Sequence, residues 1–382
     1  MRDVSIIGIG IHPFGRFDDK TYIDMGLEAT DMALKDAGVQ WKDIDLAFCS
    51  RMYLPATSGV RILTQFGKTG VPIVDVEAAC ASGGAAIRQA CLAIGSGAFN
   101  TAVVLGIEKM PRGFMDPRQL YDDWQISMGL SQNPMYWAMS ARRHMEIYGV
   151  TVEHLAKIAF KSHKNSVQNP NAMYRKEFSM EEILNSRIVN DPIRLLMICA
   201  PNEGAGAVVL CAKEMADQYT DKAIDIAACV HKVSLYNDWR VPARSISTRV
   251  NNPHVNKLTA DEAYKEAGLG PEDIDVAEVQ DTDTFMELES YGHLGFCKKG
   301  DEGRLVDEGA TEVDGSIPVN TSGGLVCKGE PVGASHLGQV YHISQQLRGE
   351  LGPTQVPDAK VGLAHVAGAG GNCAITILKR DG

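Results

Sequence analysis

Residues 31–47 read DMALKDAGVQWKDIDLA, and residues 261–277 read DEAYKEAGLGPEDIDVA. At an offset of 230 residues, nine of the 17 aligned positions are identical: Asp31/Asp261, Ala33/Ala263, Lys35/Lys265, Ala37/Ala267, Gly38/Gly268, Asp43/Asp273, Ile44/Ile274, Asp45/Asp275 and Ala47/Ala277. Each copy predicts a helix closed by a glycine, then a short acidic turn, then a strand. Solenoid repeats are far shorter than this period, so the repeat signals a duplicated domain.

Outward from the repeat, both copies continue in the same order. The first runs through Val74-Asp75-Val76-Glu77-Ala78-Ala79-Cys80 into a predicted helix ending near Leu92. The second runs through Pro318–Gly324 and a turn into a helix from about Val332. Each half then closes on a glycine-rich approach to a β-rich run, at Asn202–Leu210 and Gly368–Leu378. Alternating strands and helices imply α/β layers. A chain of 382 residues suits two such domains, placed at 1–221 and 222–382. The first half carries an insertion from about Pro111 to Leu196, with Met115, Tyr121, Trp124, Met128, Met135, Tyr136, Trp137 and Met139. Long insertions in a regular fold often serve as lids. Helical patterns at 137–148 and 151–168 predict a subdomain with a mobile front part.

Hydrophobic residues make up 45% and charged residues 22%, as in ordinary globular proteins. No apolar run approaches the roughly 20 residues of a membrane span, and Met1–Gly8 enters a strand-like run without a signal-peptide pattern. A net charge of −11 argues against nucleic acid or an anionic membrane as the main partner. The nine cysteines form no C-x-x-C pair, and Cys49, Cys199, Cys211 and Cys229 lie in apolar runs, where a thiol acts as a small hydrophobe. This usage predicts a reducing cytoplasm, no structural disulfide and no metal site in this chain.

Cys80 is the first chemical candidate. It ends a strand and precedes Ala81-Ser82-Gly83-Gly84-Ala85-Ala86, a small-residue helix start. The positive end of a helix favours the thiolate, small residues let the backbone approach a ligand, and backbone N–H groups there can form an oxyanion hole. The plainer alternative is a buried cysteine in a tight turn. Aligning Ser82-Gly83-Gly84-Ala85 with Val332-Gly333-Ala334-Ser335 places Glu330 opposite Cys80 at an offset of 250, with the extra residues assigned to 300–315. If the halves pack about a pseudo-two-fold axis, Cys80 and Glu330 meet in one cleft, where a carboxylate acts as a base or orients a water. The alternative for Glu330 is a charge that merely stabilises a helix start.

These residues resemble the thiolase superfamily, and within it the sterol-carrier-protein-type and bacterial degradative branch. The likeness spans nearly the whole chain. It rests on the Cys80 turn, on Ala141-Arg142-Arg143-His144-Met145 with Tyr148-Gly149, and on Asp191-Pro192 ahead of Asn202–Ala207. It rests also on Gly329-Glu330-Pro331-Val332-Gly333-Ala334 and the hairpin His365–Leu378. The resemblance implies the thiolase fold: two βαβαβαββ halves in a five-layered αβαβα arrangement, with a loop domain inserted in the first. The departures are specific. The branch's His-Asp-Cys-Phe motif is here Gln280-Asp281-Thr282-Asp283, the histidine of Gly-His-Pro is Glu330, and the cysteine of Cys-x-Gly falls on Val366.

The resemblance implies thiolysis of a 3-ketoacyl-CoA, with Cys80 as the acyl carrier and coenzyme A as substrate and product. Glu330 then replaces a histidine as base, which requires partial desolvation. Gln280 holds a water or the thioester oxygen, N–H groups near Cys80 and Gly368–Gly371 stabilise charge, and His365 lies near the same hairpin. Cys327 and Cys373 are candidates for the second thiol. Arg112, Arg118, Arg142, Arg143 and Lys164 are candidate phosphate or adenine contacts, with Gly333, Ala334 and Gly370 as backbone contacts to the cofactor. The resemblance further implies a homodimeric core, formed through the N-terminal halves, with a separate small partner carrying a zinc ribbon and an OB-like domain. The aromatic insertion suits a bulky acyl group, as in cleavage of benzoylsuccinyl-CoA to benzoyl-CoA and succinyl-CoA. Two other readings stand beside this one: a retro-aldolase acting on 3-hydroxyacyl-CoA through tyrosines such as Tyr291 or Tyr341, and a non-catalytic CoA-binding scaffold.

Overall fold

A computed structural model describes residues 1–113, 116–119, 121–235 and 253–380. Met115, one of the methionines of the insertion, lies outside the described residues. The first half runs β1 (Val4–Gly15), α1 (Tyr22–Ala37), β2 (Leu46–Ser50), α2 (Ser58–Leu63), β3 (Ile73–Val76), α3 (Ser82–Gly95) and β4 (Thr101–Lys109). After the insertion, with α4 (Asn133–Tyr148) and α5 (Val152–Ser166), it closes on β5 (Glu203–Ala212). The second half runs β6 (Ile224–Val233), α6 (Val255–Ala267), β7 (Val276–Glu278), α7 (Thr284–His293), α8 (Ser335–Arg348), β8 (Val361–Gly368) and β9 (Asn372–Lys379).

The strands lie in the order β3-β2-β4-β5-β1-β6-β9-β8-β7. This is one half-sheet followed by its counterpart in reverse. The pairs β3–β2, β2–β4 and β8–β7 are parallel, while β4–β5, β5–β1, β6–β9 and β9–β8 are antiparallel. The counterpart of β3 has shrunk to one parallel bridge, Ala277 to Val319. Among the described residues, the half-sheets pair only through Ser5–Asp225 and Ile6–Ile224.

The repeated residues perform the same task twice. Gly38 and Gly268 close α1 and α6 in the left-handed conformation, at φ 68° and 67°. Asp43 and Asp273 each accept a backbone N–H three residues upstream, from Gln40 at 3.2 Å and Gly270 at 2.8 Å. Asp45 ties the N–H groups of Asn100 and Thr101 at the start of β4, and Asp275 ties those of Lys360 and Val361 at the start of β8.

Five layers result. Helix α1 covers the outside of the first half-sheet and α6 the outside of the second, with α3 and α8 between the sheets. Both sheets are therefore buried on both faces, so their strands read as continuous apolar runs. Adjacent residues feed different cores: Ile7, Val103, Leu105 and Val209 pack under α1, while Ile6, Ala102, Val104 and Val208 join Ile87, Leu337 and Val340 in the middle layer. Gly83 and Gly84 are small for this reason. A Cβ on either would fall 2.5 Å from Leu337 Cδ2 or 2.4 Å from Ala374 Cβ. The expectation that they admit a ligand is corrected, because they admit helix α8 and strand β9.

The insertion is a packed subdomain. Leu155, Ile158 and Ala159 of α5 join Phe285 and Leu288 of α7 in the core of the second half. Lys161 forms a buried ion pair with Glu287. The residues at 300–315, assigned to the longer second half, form a short helix, Glu302–Asp307, and turns. Among the described residues, no helix is long and apolar enough to cross a membrane.

Candidate active site

Cys80 sits in a turn pinned from both sides. Ser82 Oγ donates to Ala79 O at 2.5 Å and accepts from Ala78 N–H at 2.8 Å. Ala79 N–H donates to Glu77 Oε1 at 2.7 Å. The turn forces Ala79 to φ 49°, a conformation that costs an L-residue roughly 1–2 kcal/mol and persists only when its surroundings hold it. Gly368, at the end of β8, closes the other side. A Cβ there would meet Ala78 O and Ala81 N at 3.0 Å and Cys80 N at 3.2 Å.

Cys80 lines a pocket of about 100 Å³. Met110 lies beside it, and Ile198, Cys199 and Pro201 form one wall. The second half contributes Thr282, Glu330 and Val332. The insertion supplies the remaining wall through Asp116, Pro117, Tyr121, Gln132, Asn133, Pro134 and Trp137. That wall is braced internally: Tyr121 stacks on Tyr136 at 5.4 Å and its hydroxyl donates to Asn133 Oδ1, while Tyr136 donates to Leu130 O at 2.9 Å. Most of the lining is apolar, so a charged group here is scarcely screened by water.

The structure brings Cys80 and Glu330 into one pocket from opposite halves, each just ahead of a middle-layer helix. Gln280 is fully buried behind Glu330. Its Nε2 donates to Glu330 Oε1 at 2.6 Å and to Thr282 Oγ1 at 2.6 Å. It orients the carboxylate and does not itself line the pocket. His365 lies one step further back, where its Nδ1 accepts from Gln280 N–H at 3.4 Å. Gly333 and Ala334, expected as cofactor contacts, are buried within the protein and do not line the pocket. Gly333 is wedged against Ile107 O, Arg51 Cα and Ser50 O, and Ala334 packs with Ile11 and Phe14. Gly370 is exposed at the tip of the β8–β9 turn.

The basic residues divide. Arg112 pairs with Asp18 and Arg142 with Asp191, so both guanidinium groups are already engaged. Arg118, which follows the pocket residue Pro117, also has an acidic neighbour, Asp116 at 3.9 Å, and like Arg143 it is exposed. Lys164 reaches Glu312 at 4.0 Å. The tyrosines considered for aldol chemistry lie elsewhere. Tyr291 is fully buried and donates to Glu287 at 2.5 Å, and Tyr341 packs in the middle layer. The tyrosine lining the pocket is Tyr121. Tyr53 is half-buried nearby, and burial together with the Cys80 charge pushes its hydroxyl pKa up.

Two residues escaped the sequence reading. Cys199, taken for a core hydrophobe, lines the pocket and points its thiol at Glu330 Oε2, 3.6 Å away. Its neighbour Pro201 forms a bridge with Glu330, and Ala200 O accepts Glu330 N–H at 3.0 Å. Burial first, and the Glu330 charge second, push the Cys199 thiol pKa well up. The thiols considered from the sequence, Cys327 and Cys373, are buried away from the pocket, Cys327 against His163 Nδ1 at 3.4 Å. The second missed residue is Glu108, at the end of β4. Its carboxylate accepts Met52 N–H at 2.8 Å and Tyr53 N–H at 3.2 Å, and burial raises its pKa to about 7.

Away from the pocket, His254, Glu289 and His293 bring their ligand-type atoms within 4.8 Å of one another. His254 Nδ1 accepts Asn256 N–H at 3.1 Å as the cap of α6, and its ring stacks on His293. The His254 bond serves the helix end.

The family models for the thiolase N-terminal domain and the thiolase C-terminal domain-like region match residues 4–214 and 245–380. The chain belongs to the thiolase family. The acetyl-CoA acetyltransferase of Methanothermobacter thermautotrophicus is 37% identical to this thiolase over the full length of both. Sterol carrier protein 2 of Homo sapiens is 36% identical over 99% of this chain and 72% of its own. Among solved structures, the Ltp2-ChsH2(DUF35) aldolase superposes with a TM-score of 0.88 at 25% identity, covering 99% of this chain and 98% of its own. Human mitochondrial 3-ketoacyl-CoA thiolase shares the fold at a TM-score of 0.75 and 16% identity, over 100% and 99%. The sterol-carrier-protein-type branch, read from the sequence, is therefore the branch of this thiolase.

Proposed function

We propose that this thiolase-type acyltransferase cleaves a 3-ketoacyl-CoA with coenzyme A through an acyl intermediate on Cys80. The observation that carries the reading is the pairing, in one largely apolar pocket, of a thiol on a pinned turn with an oriented carboxylate from the other half. Glu330 takes the thiol proton, Gln280 holds Glu330 in place, and the Cys80 and Gly368 backbone faces the oxyanion. Trp137, Tyr121, Met110 and Ile198 favour a bulky or aromatic acyl group, and benzoylsuccinyl-CoA is the substrate we put forward. Arg118 and Arg143 are assigned to the CoA phosphates.

We place the boundary between the halves at 221/222, between β5 and β6, and the protein in the cytoplasm. A homodimeric core with a separate zinc-ribbon and OB-fold partner completes the reading. It is supported by the likeness to an aldolase whose name joins Ltp2 to ChsH2(DUF35). The same likeness favours a second reading, retro-aldol cleavage of a 3-hydroxyacyl-CoA, for which Tyr121 is the placed tyrosine. The Cys80 turn weighs against it, because an aldolase needs no acyl carrier, and it weighs also against a non-catalytic scaffold.

The test is intact-mass spectrometry after incubation with benzoyl-CoA and other acyl-CoAs, alone and with a co-expressed partner. An adduct of the acyl mass on Cys80, absent from Cys80→Ser, is the expected result. No adduct under any of these conditions, with cleavage of a 3-hydroxyacyl-CoA instead, would make the aldolase the correct reading.

A further inference from the structure

The pocket contains a second thiol, held as firmly as the first. Cys199 N–H donates to Thr282 O at 2.9 Å, and its thiol donates to Glu330 Oε2 at 3.6 Å. Glu330 Oε1 and Thr282 Oγ1 are in turn joined through the Gln280 amide, each at 2.6 Å. Cys199, Thr282, Gln280 and Glu330 thus close a ring that fixes the sulfur on one carboxylate oxygen while the other is occupied. The thiol is the donor of this contact, so the sulfur carries its proton.

We infer that Cys199 is a catalytic acid, giving its thiol proton to the carbon of the departing acyl-CoA while Glu330 restores it. The inference rests on Cys80 as acyl carrier. As Cys80 Sγ bonds to the 3-keto carbon, its proton passes to Glu330. The bond between the 3-keto carbon and the α-carbon then breaks, and its electron pair leaves as the enolate of the shorter acyl-CoA. Cys199 protonates that carbon, and Glu330 returns its proton to Cys199. The net transfer is one proton from Cys80 to carbon, with no oxidant, reductant or metal. In the second half-reaction the CoA thiol displaces Cys80 from the thioester, and its proton reaches Cys80 through Glu330. Carbon protonation belongs to the first half alone. Burial keeps Cys199 in the thiol form that an acid must have.

Two reactions separate this role from a structural one. Transfer of benzoyl from benzoyl-CoA to isotopically labelled CoA moves no carbon-bound proton, whereas cleavage of benzoylacetyl-CoA does. In Cys199→Ala and Cys199→Ser, cleavage is expected to fall about 10²- to 10⁴-fold, and deuterium uptake into released acetyl-CoA to fall with it. Benzoyl exchange is expected to fall at least about tenfold less than cleavage in both variants. Cleavage retained within about threefold, or exchange and cleavage lost in parallel in both variants, would overturn the assignment. Absence of exchange in the wild type would instead overturn the acyl-Cys80 reading on which it stands.

Discussion

Gln280 donates its side-chain amide to Glu330 across 50 residues of sequence at 2.6 Å, and both groups are shut away from solvent. A buried carboxylate held by a neutral donor is fixed in direction by that bond.

Gln280→Ala removes that donor and leaves Glu330 free to rotate. The kcat for 3-ketoacyl-CoA cleavage is expected to fall roughly ten- to hundredfold, in line with small misplacements of catalytic groups. Because Cys80 and its turn are untouched, alkylation of Cys80 by iodoacetamide should continue, and steady-state kinetics beside that alkylation rate check the split.

Gly368→Ala tests the other wall of the nucleophile. Its new Cβ would lie 3.0–3.2 Å from three backbone atoms of the Cys80 turn, none of which can rotate away. The turn must shift, and kcat should drop by about tenfold or more. The thermal midpoint, measured alongside, should change far less than for a core truncation.

Ile198→Trp fills the pocket beside Cys199. Turnover of a benzoyl substrate should weaken by about 1–3 kcal/mol in kcat/KM, while an acetyl substrate is spared. Equal loss for both substrates would remove the bulky-acyl assignment.

Glu108 carries a pH signature. Its pKa rises from 4.5 to about 7 because burial disfavours the charge. The unfolded chain releases this proton near pH 4.5 and the folded chain only near 7, so stability falls as pH rises through that window and is level above it. The full difference is about 3 kcal/mol. Glu108→Gln abolishes this contribution, and unfolding midpoints taken between pH 4.5 and 8 should lose the corresponding slope. His336 and His342 work in the opposite sense. Burial lowers both to about 4, so their contribution is lost as pH falls from 6.5 towards 4.

Much of the fold was legible because the sequence states it twice. The identical aspartates at 43/273 and 45/275 make the same backbone bonds in both halves. The glycines at 38 and 268 adopt the same left-handed cap. Cys80 and Glu330 are put opposite each other by a second match, Ser82–Ala85 with Val332–Ser335, whose offset is 250 and not 230. Cys199 was not legible, because Ile198-Cys199-Ala200 looks like any apolar run. The bridges from Ile198 to Asp283 and from Pro201 to Glu330, with the Cys199 N–H bond to Thr282 O, hold that run against the pocket. Glu108 was hidden similarly, since one acid at a strand end gives no hint that the Met52 and Tyr53 amides converge on it. Gly333 and Ala334 misled for the converse reason. Small residues beside a site look like room for a ligand, yet here they make room for neighbouring backbone and side chains.

The pairing of Cys80 with Glu330 depends on the two helix starts being encoded separately. Had the halves been two copies of one short chain meeting on a true symmetry axis, any residue at this spot would face its own image. Two thiols would then compete for one proton, or two carboxylates would repel each other. A single covalent chain gives each position its own codon, and so an electrophile-seeking sulfur on one side can be matched by a proton acceptor on the other. The later divergence of the halves is thus what permits a division of labour in this site.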